Sequence, residues 1–448
     1  MSSVLDSVID QVDNNNLNLV RFLFCDTANV IRAKASSAKT LRLRLQTGIG
    51  LVKGAMAVNM LDQAQTDTGY GATGEVRLVP DLKTFRILPY VPATAMLICD
   101  MQELNREAWS LCPRSILKRM IARCQEAGVR IKAAFEPEFL LGRVDGDQFV
   151  PIDRSNCFST EGMNRAADFI NEFATALSSQ GLTIEQYYAE LGHGQHELSI
   201  RHAYALEAAD NQIVYRETLR GVSTRMGLVA SLAPKPSPDW PGNGCHLHVS
   251  LWDANSNTNL IGEDQKLSAI GRHFVAGLLK HLPALVAVTC ASTNSYKRLQ
   301  PRAWSSAYTC WGYENREAAI RVPSVYWGQE AESANLELKC VDSSANPYLA
   351  LAAVIAAGMD GVANKLKPPE PVSAEPSTLD PANAEKNGVR RLPQDLGEAL
   401  KALECDEVIT EALGAEFVKV YLAVKRSEQA QFSGLAAEEE ARLHFMRY

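Results

Sequence analysis

The segment Phe135-Glu136-Pro137-Glu138-Phe139 constrains the fold more than any other stretch of this chain. Side chains two residues apart on a β-strand face the same side, so Glu136 and Glu138 point together, away from Phe135 and Phe139. Two like charges held side by side are costly unless a cation lies between them. A pair of glutamates on a strand is most often a solvated face. The aromatic flanks place this strand inside the protein, however, and therefore favour a cation site.

Two further segments carry polar side chains at a spacing that suits a shared site. Glu190 and Glu197 bracket a turn that contains two glycines, which by itself is typical of an ordinary hairpin with polar ends. His246, His248 and Ser250 share one face of a predicted strand behind a glycine-rich turn. A single histidine is usually a core residue, but two at this spacing favour metal ligation or contact with phosphate.

Positive side chains accompany the carboxylates. A further alternating strand carries Glu337 and Lys339, and three arginines precede it in the chain: Arg298, Arg316 and Arg321. Arginines that converge on a pocket suit carboxylate and phosphate, although isolated arginines are more often members of surface ion pairs. Carboxylate-rich sites select Mg²⁺ or Mn²⁺ rather than zinc, and Mg²⁺ beside arginine is typical of sites for nucleotide phosphates. The residues alone therefore predict a divalent-metal enzyme that handles phosphate, and they leave its substrate open.

The composition limits the class of protein. Apolar residues make up 46% and charged residues 22% of the 448 residues, as in ordinary globular proteins. The net charge of −7 argues against a protein that grips nucleic acid or an anionic membrane. Ten cysteines stand without a CxxC pair, and the start of the chain has no apolar core of the signal-peptide type. We therefore expect a cytoplasmic protein with free thiols and with no nucleic-acid or membrane partner.

The chain is predicted to be an α+β protein with two domains. Residues 1–105 contain short strand-like runs and a glycine-rich stretch at 43–74, which indicate a small β-rich domain. Residues 106–448 form the larger domain, in which strands alternate with helices. The spacing of apolar residues predicts helices near 115–127, 161–180, 206–227, 266–280, 346–361 and 396–426.

Six blocks of sequence, taken in order, resemble the glutamine synthetase family over nearly the whole chain. They are FEPEFLL, the turn with GQHE, APKP…GNGCHLHVSLW, NSYKRLQP, NREAAIRVP and DSSANPYLALAA. The resemblance implies a small N-terminal β-grasp domain and a large catalytic domain, whose curved antiparallel sheet is flanked by helices. It also implies a homo-oligomer, commonly a dodecamer of two hexameric rings, with active sites between subunits.

The same resemblance assigns roles to individual residues. The expected ligands of two or more Mg²⁺ or Mn²⁺ ions fall into two sets: Glu138, Glu190 and Glu197, and Glu136, His246 and Glu337. The residues expected at ATP are His248, Ser250, Arg316 and Arg321, and the two arginines are also the expected catalytic residues. The substrate is expected at Gly242, Arg298, Lys339 and Trp304. The implied reaction first forms an acyl phosphate from a carboxylate and ATP, and an amine then displaces phosphate.

Three places depart from the usual family pattern. The stretch 50–56 has Val52 and Lys53 where a typical Asp-Gly-Ser-Ser element supplies a carboxylate for ammonium. Trp304 stands where a glutamate usually closes the ammonium site. Lys339 stands where an arginine usually grips the substrate carboxylate, and lysine lacks the bidentate fork of arginine. Because ammonium needs negative charge nearby, the first two changes favour an organic amine as the acceptor, whereas Lys339 leaves open whether the acid is glutamate.

The predicted function is an ATP-dependent ligase that joins glutamate, or a close analogue, to an organic amine through a γ-glutamyl phosphate. The pattern around Trp304 resembles the γ-glutamylpolyamine-type branch of the family. One alternative is an authentic glutamine synthetase that handles ammonia in an unusual way. A second is a non-catalytic relative that keeps only the ring, although all six ligand positions retain ligand types. The sequence names neither the amine nor the group that takes its proton.

Overall fold

Two β-sheets, one in each part of the chain, organise the fold. This computed structural model describes residues 2–146, 148–263 and 265–448. The strands of the first sheet are β1 (Leu19–Cys25), β2 (Ile31–Ser37), β3 (Ile49–Val52), β4 (Glu75–Pro80), β5 (Arg86–Ile87) and β6 (Thr94–Gln102). The order across this sheet is β2-β1-β6-β4-β3, with β5 beside β6, and the central strands β1 and β6 run parallel.

Two helices accompany the first sheet, and both differ from the sequence prediction. α1 (Ser2–Asn14) forms in a polar, asparagine-rich start because Leu5, Val8 and Val12 recur at helical spacing and are buried. α2 (Leu41–Thr47) begins just before the predicted loop at 43–74, where Leu41 and Leu45 share one buried face. Both helices are thus stabilised by a narrow apolar stripe.

The second sheet is mostly antiparallel and is centred on one long strand, β7 (Val129–Asp145). Its further strands are β8 (Gln148–Pro151), β9 (Ile184–Ala189), β10 (Gln195–Ile200), β11 (Ala203–Tyr204), β12 (Val229–Ser231), β13 (Cys245–Asp253), β16 (Trp311–Tyr313), β17 (Ile320–Val322) and β18 (Leu336–Leu338), and a separate small hairpin holds β14 (Gly262–Glu263) and β15 (Lys266–Leu267). The order is β16-β17-β18-β13-β7-β10-β9, while β8, β11 and β12 also pair with β7. The expected α+β class is confirmed, with one parallel pair, β16 and β17.

The helices of the larger part are α3 (Pro113–Glu126), α4 (Thr160–Arg165), α5 (Ala167–Ser179), α6 (Ala205–Arg225), α7 (Ala269–Thr289), α8 (Ser295–Arg298), α9 (Glu330–Ser333), α10 (Pro347–Ala363), α11 (Pro381–Lys386), α12 (Leu396–Cys405), α13 (Glu407–Leu413), α14 (Ala415–Phe432) and α15 (Ala437–Phe445). The predicted helix at 396–426 is divided in three, because Asp406 caps α13 and Gly414, at a φ of 94°, separates α13 from α14. α7 extends beyond the predicted end near 280 and continues through Pro283.

Helices α7 and α10 pack closely in the core. A Cβ atom placed on Gly361 would lie 2.1 Å from the carbonyl oxygen of His273, and one on Gly277 would lie 2.2 Å from that of Ala357. Glycine at both positions therefore lets the two backbones approach each other. Across the three described ranges, no helix combines the length and the apolar character that a membrane crossing requires. The division into residues 1–105 and 106–448 stays a prediction.

Candidate active site

The second sheet brings together the carboxylates and imidazoles that were selected from the sequence. Along β7, Glu136 and Glu138 lie on the half-buried face, whereas Phe135 and Phe139 are buried on the opposite face. The neighbouring strands place their own polar residues on this face. The directly opposed pairs are Glu197 with Glu138, His246 with Glu136, and His248 with Glu337. Strand alternation and register thus create one polar surface across four strands.

Glu138, Glu190 and Glu197 form the first cluster, in which one carboxylate oxygen from each residue lies within 4.8 Å of the others. Glu190 follows the end of β9, and a tight turn returns the chain to β10. The Gln195 side-chain amide and the Gly244 backbone N–H each donate a hydrogen bond to Glu138 Oε2, both at 3.0 Å. These two donors fix the orientation of Glu138 toward the other carboxylates.

The first cluster carries an excess of negative charge. Burial, followed by the charge of Glu138, raises the pKa of Glu190 to about 7. Burial and the neighbouring Glu136 and Glu138 raise the pKa of Glu197 well above its ordinary range. The Tyr188 hydroxyl donates to Glu197 Oε1 at 2.6 Å and opposes this shift only in part. Crowded carboxylate oxygens of this kind are the donor set that hard divalent cations prefer.

The second cluster contains Glu136, Glu337 and His248, again with ligand atoms within 4.8 Å of one another. His248 Nε2 lies 3.0 Å from Glu136 Oε2, and His246 Nδ1 lies 3.2 Å from Glu337 Oε1. The resemblance placed His246 at the metal and His248 at the nucleotide. The structure brings both imidazoles to the carboxylates, because the two histidines share one face of β13. Their separate roles stay a prediction.

The two imidazoles differ in charge. Burial opposes a charge on His248, but the Glu136 carboxylate outweighs burial and raises the pKa of His248 to about 9. Burial and the Lys339 ammonium lower the pKa of His246 to about 4. Lys339 and His246 outweigh burial at Glu337 and hold the pKa of that carboxyl well below its ordinary range. At neutral pH His246 is therefore neutral and able to donate a lone pair to a cation, whereas His248 is a cation.

Arg298 is buried next to the glycine-rich turn before β13. Its Nη2 donates to the carbonyl oxygen of Val341 at 2.9 Å, while its Nε has no hydrogen-bond partner in the described structure. A Cβ atom at Gly242 would lie 2.5 Å from Arg298 Cγ, so only glycine leaves room for this arginine. The arginine is thus held in place with part of its donor capacity unused.

The other cations selected from the sequence lie around the two clusters. Arg321 Nη1 donates to Glu337 Oε2 at 2.7 Å, and the buried Lys339 Nζ lies 3.4 Å from Glu337 Oε1. Arg316 is exposed, and its charge opposes, as a minor cause, the upward shift in the pKa of Glu190 in the first cluster. Basic side chains thus lie close to the carboxylates, and the roles expected of them stay a prediction.

Ser250 lies at the far end of the same face of β13, two residues beyond His248. Its hydroxyl accepts a hydrogen bond from Trp252 Nε1 at 2.9 Å. Lys132, which is directly opposite Ser250 on β7, places its ammonium 3.5 Å from the centre of the Trp252 ring. Lys132 was not selected from the sequence, although it falls on the same alternating face as Glu136.

Trp304 lies on a loop that follows α8, and the residue is 55% exposed. Arg302, Trp304 and Ser306 all have positive φ values, between 51° and 66°, in a region that costs non-glycine residues energy. The Trp304 backbone N–H donates to Glu317 Oε1 at 2.7 Å. Glu317 was missed by the sequence analysis. Its signal was a single acidic residue inside the otherwise basic and apolar block NREAAIRVP.

The stretch 50–56 lies at the end of β3 and in the turn after it, and β3 forms one edge of the first sheet. Val52 is exposed there. Lys53 Nζ lies 2.7 Å from Glu103 Oε1, and its ammonium is 5.8 Å from the centre of the Trp109 ring. A carboxylate is thus present near this stretch, but it already pairs with Lys53.

Known proteins share both the sequence pattern and the architecture. The sequence profile of the glutamine synthetase catalytic domain matches residues 110–444, and the profile of the glutamine synthetase N-terminal domain matches residues 4–109. The gamma-glutamylpolyamine synthetase GlnA3 of Streptomyces coelicolor is 37% identical over 431 residues, which cover 95% of this chain and 92% of the relative.

Two further relatives extend the comparison. The glutamine synthetase of Pyrococcus horikoshii is 39% identical over 321 residues, 71% of each chain. A crystal structure described as a novel glutamine synthase homolog matches with a TM-score of 0.86 at 33% identity, over 96% of this chain and 99% of that chain. The similarity thus covers both sheets and all the residues selected above.

Proposed function

Because this chain belongs to the glutamine synthetase family, whose members are ATP-dependent ligases, we propose that it joins a glutamate-like acid to an organic amine as a γ-glutamyl amide. The observation that carries the choice of amine is Trp304, an exposed indole on a loop that is hydrogen-bonded to Glu317, at a position where a carboxylate for ammonium is expected. The similarity to a gamma-glutamylpolyamine synthetase over 95% of the chain supports the same choice.

Two sites for Mg²⁺ or Mn²⁺ are part of this proposal. The residues that would hold the ions are Glu138 with Glu190 and Glu197, and Glu136 with Glu337 and His246. The raised pKa values of Glu190 and Glu197 support the first site, because they reflect crowded carboxylates that a cation would relieve. The neutral state of His246 supports its place in the second site. A bound divalent ion supplies positive charge that offsets the repulsion between a carboxylate and the phosphates of ATP.

The acid substrate is proposed to bind on the Arg298 side of the clusters. The guanidinium of Arg298, whose Nε lies 3.9 Å from Asp342 Oδ2 and has no hydrogen-bond partner among the described residues, and the ammonium of Lys339 would offer positive charge to its carboxylates. Gly242 leaves room for the Arg298 side chain. Lys339 also lies close to Glu337, so it can hold the substrate carboxylate near the second cluster.

ATP is proposed to bind along the other part of the surface. His248 and Ser250 would contact its phosphates, while Arg316 and Arg321 would neutralise the phosphoryl group in transfer. The positive charge of His248 supports its role, and so does the Nε of Arg321, which has no hydrogen-bond partner among the residues that the structure describes. Lys132 adds a further cation at the Ser250 end.

The proposed reaction has two steps. An oxygen of the side-chain carboxylate attacks the γ-phosphorus of ATP, ADP leaves, and an acyl phosphate forms. The amine nitrogen then attacks the acyl carbon, and the bond between that carbon and the phosphate oxygen breaks. Arg316 and Arg321 stabilise the charge on the transferred group in the first step, and they hold the leaving phosphate in the second.

An apolar wall at Trp304 favours amines with carbon substituents. Each buried CH₂ group stabilises binding by about 0.8 kcal/mol, which is about fourfold in affinity. Ammonium gains nothing from such a wall and lacks a carboxylate at Val52 or Lys53. Ammonia is the alternative acceptor, because relatives that are 39% identical over 71% of the chain are named glutamine synthetases.

The decisive experiment measures ATP-dependent phosphate release with glutamate and one acceptor at a time, at a single pH. The acceptors are ammonia, methylamine, ethylamine, ethanolamine and putrescine, and the product amide is identified by mass spectrometry. We expect at least one organic amine to exceed ammonia in kcat/KM. If ammonia is the best acceptor of the set, the enzyme is a glutamine synthetase and the argument from Trp304 is wrong.

The proposed assembly is a homo-oligomer, with a dodecamer of two hexameric rings as the first expectation.

The cytoplasm is the proposed location, and the ten unpaired cysteines support it because they suit a reducing compartment. The boundary near residue 105 belongs to the same proposal, and the separate sheets on its two sides support it.

A further inference from the structure

Glu317 is a buried carboxylate beneath the Trp304 loop. Its residue surface is only 6% exposed. Oε1 accepts the Trp304 N–H at 2.7 Å, whereas Oε2 is buried and has no hydrogen-bond partner in the part of the chain that the structure describes. A buried carboxylate oxygen without a partner is costly, so an unused one beside a predicted substrate site calls for a ligand that donates to it.

The charged neighbours of Glu317 are already engaged elsewhere. Lys339 lies 3.4 Å from Glu337 Oε1, and Glu375 lies 3.4 Å from Arg302 Nε. Burial raises the pKa of Glu317 above its ordinary range, Glu375 adds to this effect, and Lys339 and the Trp304 N–H oppose it. Glu317 is therefore a carboxylate that binds a proton more readily than an ordinary surface glutamate.

We propose that Glu317 receives the ammonium group of the acceptor amine and takes one of its protons. This inference rests on the proposed ligase function and supplies the base that the sequence did not identify. At neutral pH an alkylamine is almost wholly protonated and cannot attack a carbonyl carbon. A carboxylate next to Trp304 provides both the charge that binds the ammonium group and the acceptor for its proton, while the indole contacts the carbon substituent.

The step conserves protons and electrons. The ammonium group gives one proton to Glu317 Oε2 and becomes a neutral amine. Its lone pair forms the bond to the acyl carbon of the γ-glutamyl phosphate, and the carbon–oxygen bond to phosphate breaks with its electron pair on the phosphate. The second proton of the nitrogen goes to the leaving phosphate. Glu317 then releases its proton to solvent before the next cycle.

A purely structural role is the competing explanation, in which Glu317 only holds the Trp304 loop. Glu317→Gln separates the two roles. Glutamine keeps an oxygen that accepts the Trp304 N–H, but it removes the negative charge and cannot take a proton. Hydroxylamine is a matched acceptor for this purpose, because it is uncharged at pH 7 and needs neither a carboxylate partner nor prior loss of a proton.

The experiment compares kcat/KM for methylamine and hydroxylamine at pH 7 in the same preparation of the full-length enzyme with glutamate and ATP. The ratio of the two values is independent of the fraction of folded enzyme. We expect Glu317→Gln to lower the value for methylamine about a hundredfold and to leave hydroxylamine nearly unchanged. The control is Glu314→Gln, which removes an exposed carboxylate from the turn that also contains Glu317. It should leave the ratio at the wild-type value.

Equal loss with both acceptors would show that Glu317 only supports the loop, and an unchanged ratio would show that it is not the base. Either result overturns the proposal. If Glu317→Gln does not fold, Glu317→Ala and Glu317→Asp are compared by the same ratio, and only the aspartate variant should retain use of methylamine. If the wild type accepts ammonia but no organic amine, the proposed function fails, yet the ratio of ammonia to hydroxylamine still tests Glu317.

Discussion

Repulsion among buried carboxylates dominates the chemistry of single residues in this site. Glu138, Glu190 and Glu197 are close enough to raise one another's pKa values, and a proton or a divalent cation can relieve the repulsion. Protons and metal ions therefore compete for the same oxygens. The competition is sharpest at Glu190, because burial and Glu138 bring its pKa to about 7, within the physiological range.

This competition predicts a pH-dependent affinity for metal. Below pH 7 Glu190 takes a proton and is lost as a ligand, so the apparent affinity for Mg²⁺ should fall by up to about tenfold for each further pH unit. In the metal-free protein, folding stability depends on pH in the opposite direction to the affinity for Mg²⁺. A raised pKa contributes stability at low pH that is lost as the pH rises through about 7. Titration calorimetry and thermal unfolding at pH 6 and pH 8 test both signs, and equal Mg²⁺ affinity at the two pH values contradicts the argument.

Removal of one ligand should abolish activity without unfolding the chain. Glu138→Ala takes away a carboxylate of the first cluster, and we expect the loss of Mg²⁺-dependent phosphate release together with a large drop in metal affinity. Glu126→Ala, on the exposed end of α3, is the control and should behave as the wild type. Normal turnover and metal affinity in Glu138→Ala would remove Glu138 from the site.

Residues that alternate along strands were predictable from their spacing, and Glu317, which a turn holds, was not. Alternation alone places Glu136 with Glu138 and His246 with His248, because a strand fixes which side chains share a face. Glu317 lies in a turn, where no periodicity relates it to Trp304, so only the fold brings them together. The charge of His248 likewise depends on its distance from Glu136, which the sequence does not contain.

At the scale of elements, segments with clear alternation or helical spacing were predicted, whereas α1, α2 and the breaks within 396–426 were not. β7 and β13 follow directly from alternation, and α3 and α10 from helical spacing. α1 was missed because its apolar stripe is narrow within an asparagine-rich segment, and it is stabilised by the burial of Leu5, Val8 and Val12 rather than by propensity. α7 continues through Pro283 because the burial of Leu282, Ala284 and Leu285 around it outweighs one missing hydrogen bond.

The contact between α7 and α10 should be sensitive to a single methyl group. A Cβ atom at Gly361 would lie 2.1 Å from a backbone oxygen of α7, which cannot move aside as a flexible side chain would. We expect Gly361→Ala to lower the free energy of unfolding by about 1–3 kcal/mol, measured by urea denaturation. Gly71→Ala, where a Cβ meets no atom within 4 Å, is the control with an expected change below about 0.5 kcal/mol. If Gly361→Ala leaves the free energy of unfolding unchanged, α7 and α10 can move apart at little cost.

The surface of the whole molecule carries several exposed large apolar side chains. Trp327 is 98% exposed, and Tyr326, Phe158 and Trp304 are also exposed in the single chain. Val52 is exposed on β3, an edge strand of the first sheet. Exposed aromatic residues and unpaired edge strands are typical of surfaces that another subunit covers. The proposed ring would cover such surfaces and bring the first sheet of one chain to the site of its neighbour.

Such a ring predicts that two defective chains can repair each other. Val52→Asp should lower activity because a neighbour's acceptor site loses an apolar contact, while Glu138→Ala abolishes the site of its own chain. When the two variants are dissociated and reassembled together, sites that combine an intact Glu138 with an intact Val52 from another chain should regain activity. Light scattering should show particles far heavier than one chain throughout. Complementation requires residues from two subunits at one active site. If the monomer is fully active, or if the mixture is no more active than its two components, each chain builds its active site alone.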